Sequence, residues 1–212
     1  ARLSGREVVD RFESYVRPSR PIPPEIEELT GITNAMVVDA PCAEEVVARL
    51  ADFVGGCPVI AHNATFDRTF VEKVRGGSEV SDLWIDSLAL SRIALPRLSS
   101  HRLQDLARVF GCPSVSHRAM DDVEALAGMW RVILCGLAAL PPGLAGQLAS
   151  MHPEVDWPYR PLFAYIAGEE GTQVPFSLVQ VRRDLVRAQR MQVKVDAKDR
   201  LCDPVMVPRG EL

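Results

Sequence analysis

The chain has 212 residues, 47% of them hydrophobic and 25% charged, with a formal net charge of −4. That is enough apolar sequence for one sizeable core, alone or with an appendage, and the mild acidity argues against a broadly basic nucleic-acid-binding surface. Five scattered cysteines with no Cys-x-x-Cys pair argue against structural zinc and fit reduced thiols in a cytoplasmic protein, and no uninterrupted apolar run is long enough to cross a membrane.

In chain order, 6–17 alternates and predicts a strand entering after a Ser4-Gly5 turn. A proline-ruled loop over 18–24 follows, and Pro24 opens a short helix over 25–29, since proline is tolerated in a first turn. Val46, Val47, Leu50 and Val54 recur at helical spacing, so 43–54 is predicted as an amphipathic helix ended by Gly55-Gly56. Pro58–Ala61 reads as a buried strand, and the chain turns at His62-Asn63 into a helix over 65–74. Another buried strand is expected at 84–88, then helices over 88–95, 103–110 and 119–134, with Trp130 in the core. Strands alternating with helices argue an α/β fold. Pro141-Pro142-Gly143 marks a boundary, giving a first domain over 1–137, a linker over 138–146 and a C-terminal region over 147–212. In that last region 178–190 is expected to be helical. Met191–Asp196 and Val205–Val207 are expected to form a hairpin, which makes it a small α+β appendage.

Two segments carry the chemistry: His62-Asn63-Ala64-Thr65-Phe66-Asp67 and His117-Arg118-Ala119-Met120-Asp121-Asp122. Each ends on an acid, and the second adds a histidine. Carboxylates with one histidine are the parts needed for metal-assisted phosphodiester hydrolysis, the oxygens holding Mg²⁺ or Mn²⁺ and the histidine acting as general base. Taken singly, each residue has a plainer reading. Asp67 serves equally as a helix-start acid, His117 as a capping loop residue, His62 as a partner for buried backbone groups, and Phe66 as core. Arg97, His101 and Arg102 form a small basic group, suited to phosphate contact or to a solvated loop.

With Phe12–Arg17, Pro21–Ile26, Leu29–Thr33, Val59–Asn63 and His117–Asp122 in that order, the chain resembles the DnaQ-like (DEDDh) 3′–5′ exonucleases, the group that includes the proofreading subunit of bacterial DNA polymerase III. The resemblance runs roughly from Val8 to Leu134. It implies a ribonuclease-H-like mixed sheet flanked by helices, and two Mg²⁺ or Mn²⁺ ions. Asp67 and Asp122 would be metal-associated and His117 the general base, while His62, Asn63 and Phe66 would line the terminal-nucleotide site. Family spacing selects Asp122 over Asp121, which is expected to be a solvated first-turn acid. The implied substrate is a single-stranded or frayed 3′ end of DNA, or RNA, and the implied partner a DNA polymerase or another replication or repair protein. The family's Asp-x-Glu pair on its first strand is missing: Asp10 and Glu13 have the wrong spacing and would point to opposite faces of a strand. The chain is therefore expected to start inside the domain, after its first strand. A catalytically inactive nucleic-acid- or protein-binding module that kept the fold is the alternative.

Overall fold

The computed structural model describes residues 1–4, 7–115, 119–155, 157–169, 171 and 179–198. Its strands are short. Arg2–Ser4 (β1) and Glu7–Asp10 (β2) pair antiparallel, with Leu3 opposite Val8. Val59–Ala61 (β3) and Trp84–Asp86 (β4) pair parallel, with Ile60 opposite Ile85. Both kinds of pairing in a mixed sheet are thus present, but among the described residues no ladder joins the two pairs. The strand expected over 6–17 is regular only at Glu7–Asp10. Beyond it the chain leaves the ladder, and Phe12 stacks on Phe53 with ring centroids 5.6 Å apart. Arg2 adds to that contact, donating to the Phe53 carbonyl and lying 4.8 Å over its ring. Burying the Phe12 ring outweighs continuing the exposed edge of a two-stranded pair, which is marginal by itself.

Helices supply most of the rest. Pro24–Thr30 (α1) ends on Gly31, whose left-handed backbone (φ 71°) closes the helix onto Glu27. Asn34–Val37 (α2) is a single turn tied by the Asn34 side chain to Glu27 and to the backbone of Ile22. Ala43–Val54 (α3) is the amphipathic helix predicted from the sequence. Its Val47, with Ala64, Val80 and Trp84, forms a core against which Leu50, Val54, Val59 and Val71 pack. Ala64–Glu72 (α4), Ser87–Ala94 (α5), Leu103–Phe110 (α6) and Ala119–Ala138 (α7) follow. Trp130 is core, at 1% exposure.

Two compact units share the chain: Ala1–Leu88 with Ser100–Met129, and Ala89–Ser99 with Trp130–Leu212. In the second, Gly136 of α7 lets Ala94 approach so closely that a Cβ there would meet its carbonyl oxygen at 2.8 Å. Pro142–Ser150 (α8) begins on a proline within the segment expected as a linker, and it packs on Arg160–Ala167 (α9). The Arg160 guanidinium donates to the carbonyls of Ala149, Met151, His152 and Val155 at 2.7–3.0 Å, which closes the C-terminal end of α8. Val179–Lys198 (α10) corrects one expectation: Met191–Asp196 is helical, not the first strand of a hairpin. The alternation of valine with polar residues there is short, and the preceding helix carries through it, since extending a formed helix is easier than nucleating a strand. The expected partner strand, Val205–Val207, lies outside the described residues. Among the described residues no single helix is long and apolar enough to cross a membrane.

Candidate active site

The site is built where β3 and β4 end side by side. After Ala61 the chain passes through His62 and then Asn63, whose left-handed backbone (φ 73°, ψ 54°) turns the strand into α4. Asparagine tolerates that conformation better than most side-chain-bearing residues. Asp67 follows in the first turn of α4, where the helix dipole favours a carboxylate. Phe66, also on that turn, is 60% exposed and lies 4.8 Å from the Phe70 ring. An exposed ring beside an acid is placed to meet a ligand, whereas the core reading of Phe66 requires burial.

The neighbouring strand end holds this turn in place. Asp86 Oδ1 accepts the backbone N–H of Asn63 at 3.0 Å and that of Leu88 at 2.9 Å, so one carboxylate oxygen ties the start of α4 to the start of α5. Ser87, fully buried, donates its hydroxyl to the Ala61 carbonyl at 3.1 Å. His62 sits between them. Its Nε2 lies 2.8 Å from the His101 carbonyl and its Nδ1 3.0 Å from Ser87 Oγ. A carbonyl only accepts, so Nε2 carries a proton. The Nδ1–Ser87 contact completes the ring's pairing, so both nitrogens of His62 are held by the protein. Thus His62, expected to line the substrate site, has both ring nitrogens committed to the protein and braces the turn. His101 takes part through its backbone. Neither Asp86 nor Ser87 was singled out in the sequence. The one available signal was an acid at the end of a buried strand, followed by a small hydroxyl residue.

Electrostatics set the two motif acids apart. Loss of water around Asp67 pushes its carboxyl above the usual range, its own backbone N–H pulls it down, the Asp86 charge pushes it up again, and His62 draws it down. Asp122 lies in the first turn of α7. Its Oδ1 is buried, and among the described residues no hydrogen-bond donor reaches it. Asp121, expected to be a solvated acid, is instead partly buried and interacts with its surroundings. His117 lies outside the described residues.

Whether this donor set suits a divalent cation can be judged from Asp122. A buried carboxylate oxygen with no donor is costly, and a cation is the partner that would satisfy it. Two carboxylates match the oxygen preference of Mg²⁺ and Mn²⁺. Among the described residues no three acids, histidines or cysteines converge as a ready-made cage. Asp122 therefore fits a cation as a partner, and Asp67 offers a carboxylate of the same kind on the first turn of α4.

The first motif thus follows the end of β3 beside β4, and Asp122 lies on the first turn of α7; the class of protein follows from comparison with known families. Residues 1–129 match the RNase_T exonuclease family, and the chain belongs to it. It is similar to the PolC-type DNA polymerase III of Bacillus cereus, with 37% identity over 128 residues, covering 58% of this chain and 9% of that protein. The PolC-type DNA polymerase III of Caldanaerobacter subterraneus subsp. tengcongensis is 34% identical over 167 residues, covering 76% of this chain and 12% of that protein. The chain thus spans about a tenth of the length of these relatives. A solved structure of exonuclease X in complex with 5′ overhanging duplex DNA matches with 28% identity and a TM-score of 0.44, covering 56% of this chain and 69% of that one.

Proposed function

We propose that the chain is the core of a metal-dependent 3′–5′ exonuclease that releases nucleoside 5′-monophosphates from nucleic-acid 3′ ends, in DNA replication or repair. The observation that carries this reading is the buried Asp122 Oδ1, which no donor among the described residues reaches, in a family whose chemistry is nuclease chemistry. Asp67 and Asp122 would hold Mg²⁺ or Mn²⁺, which when bound stabilises charge on the attacking and leaving oxygens. His117 takes the proton from the attacking water. Phe66 offers its exposed ring to the terminal base, and Asn63 shapes the turn that presents it. His62, Asp86 and Ser87 keep Asp67 at the mouth of the site by fixing the turn before it. A single strand or a frayed end enters most readily, because its terminal nucleotide is already unpaired.

The test is mononucleotide release from 3′- and 5′-end-labelled single strands with Mn²⁺ and with chelator. It uses the 212-residue chain and the same chain extended at its N-terminus by an Asp-x-Glu strand. Release from the 3′ end, dependent on Mn²⁺ and on that strand, is expected. Asp122→Ala should lower turnover more than about 100-fold, beyond the loss usual for groups one step removed from a metal, while leaving the fold intact. His117→Ala should lower turnover far more than binding. Folded protein without activity in either form would sink the enzyme reading and leave a binding module. Equal damage from Asp121→Ala would mean the register of α7 is misassigned.

A further inference from the structure

The C-terminal helix α10 carries six basic residues and two acidic ones, in a chain whose net charge is −4. Their placement is uneven. At 3.6 residues per turn, positions 183, 187, 190, 194 and 198 fall within an arc of about 80°, roughly opposite Val181 and Leu185. Those two are the anchors, at 3% and 0% exposure. Arg183, Arg187 and Arg190 are exposed. Arg182 lies off the stripe and is used for packing, its guanidinium 5.1 Å over the Tyr165 ring of α9. The one acid at the margin, Asp184, is buried and lies 3.7 Å from the Arg187 guanidinium.

A solvated helix face ordinarily mixes the two signs at three- and four-residue spacing, because like charges there repel and weaken the helix. Here the spacing is kept and Asp184, beside Arg187, is the one acid set against the stripe, so the remaining like charges lower the stability of α10 unless an anion lies along them. We propose that this stripe binds the sugar-phosphate backbone of single-stranded nucleic acid. The proposal rests on the nuclease reading and adds to it. A basic line with near-regular rise is what a repeating polyanion fits.

The measurement is fluorescence anisotropy of a labelled oligonucleotide with the whole chain, in chelator, over a series of salt concentrations. Replacing Arg183, Arg187 and Arg190 together by glutamine should weaken binding roughly tenfold and flatten the log-log salt slope by about two, since each single-strand phosphate contact contributes about 0.7. The corresponding triple Arg→Lys variant keeps the charge and should keep both affinity and slope, which separates charge from damage to the fold. An unchanged slope in the glutamine variant overturns the proposal, and normal cleavage by that variant would leave the nuclease reading standing. Loss of binding in the glutamine variant, with no cleavage by any form, would support the stripe and remove the nuclease reading. Polyglutamate bound as tightly as the oligonucleotide, and weakened equally by the glutamine substitutions, would assign the stripe to an acidic protein and overturn the nucleic-acid assignment.

Discussion

Asp67 and Asp122 are the same residue type in two different predicaments. Asp122 buries an oxygen that no donor among the described residues reaches, whereas Asp67 sits on an exposed turn facing a second carboxylate. The folded chain raises the Asp67 pKa, so it binds that proton more tightly than the unfolded chain does. The associated stability is complete below the ordinary value near 3.8 and is lost as pH rises through the raised value. Asp67→Asn should therefore raise Tm slightly near neutral pH without metal, and the gain should vanish in acid. A Tm gain of the same size at every pH would show that burial and Asp86 are not its cause. The acids themselves were legible as candidates, because the family spacing of each motif selects them. What surrounds them was not. Asp86 is 19 residues beyond Asp67, and only the parallel register of β3 and β4 brings the two together.

At the scale of elements, the turn into α4 depends on a single oxygen. Asp86→Ala removes the acceptor of two backbone N–H groups and should cost about 1–3 kcal/mol, whereas Asp86→Asn keeps an acceptor oxygen and should cost less. Chemical denaturation of the two variants side by side checks this, and equal losses would mean that charge matters more than acceptance. A second constraint follows α4. A Cβ on Gly77 would lie 1.9 Å from the Val71 carbonyl oxygen, so Gly77→Ala must move backbone. A loss of about 3 kcal/mol is expected, read from the denaturation midpoint. Periodicity revealed α3, α6 and α7 because each buries one apolar face over two or more turns. It missed α2, which is one turn held by the Asn34 side chain, and the start of α8, whose Pro-Pro-Gly looks like a boundary. It also misread Met191–Asp196, where valines spaced by two sit inside a helix.

For the whole molecule, charge is distributed by task. The acids of the family motifs and Asp86 lie in the unit formed by Ala1–Leu88 and Ser100–Met129, while the basic stripe lies on α10 of the other unit. Net charge alone argued only against a broadly basic surface and gave no hint that one helix runs against the average. The separation of the strands into two pairs has a kinetic consequence. The β1–β2 pair is exposed along most of its length, with Val9 at 54%, while β4 carries Ile85 at 0% exposure beside the core. Backbone amides exchange with solvent through local opening, and an opening that uncovers little apolar surface is frequent. Deuterium should therefore enter the hairpin early and reach the amides bonded between β3 and β4 late. Mass spectrometry of pulse-labelled peptides would resolve the two, and simultaneous labelling would mean that the four strands open as one unit.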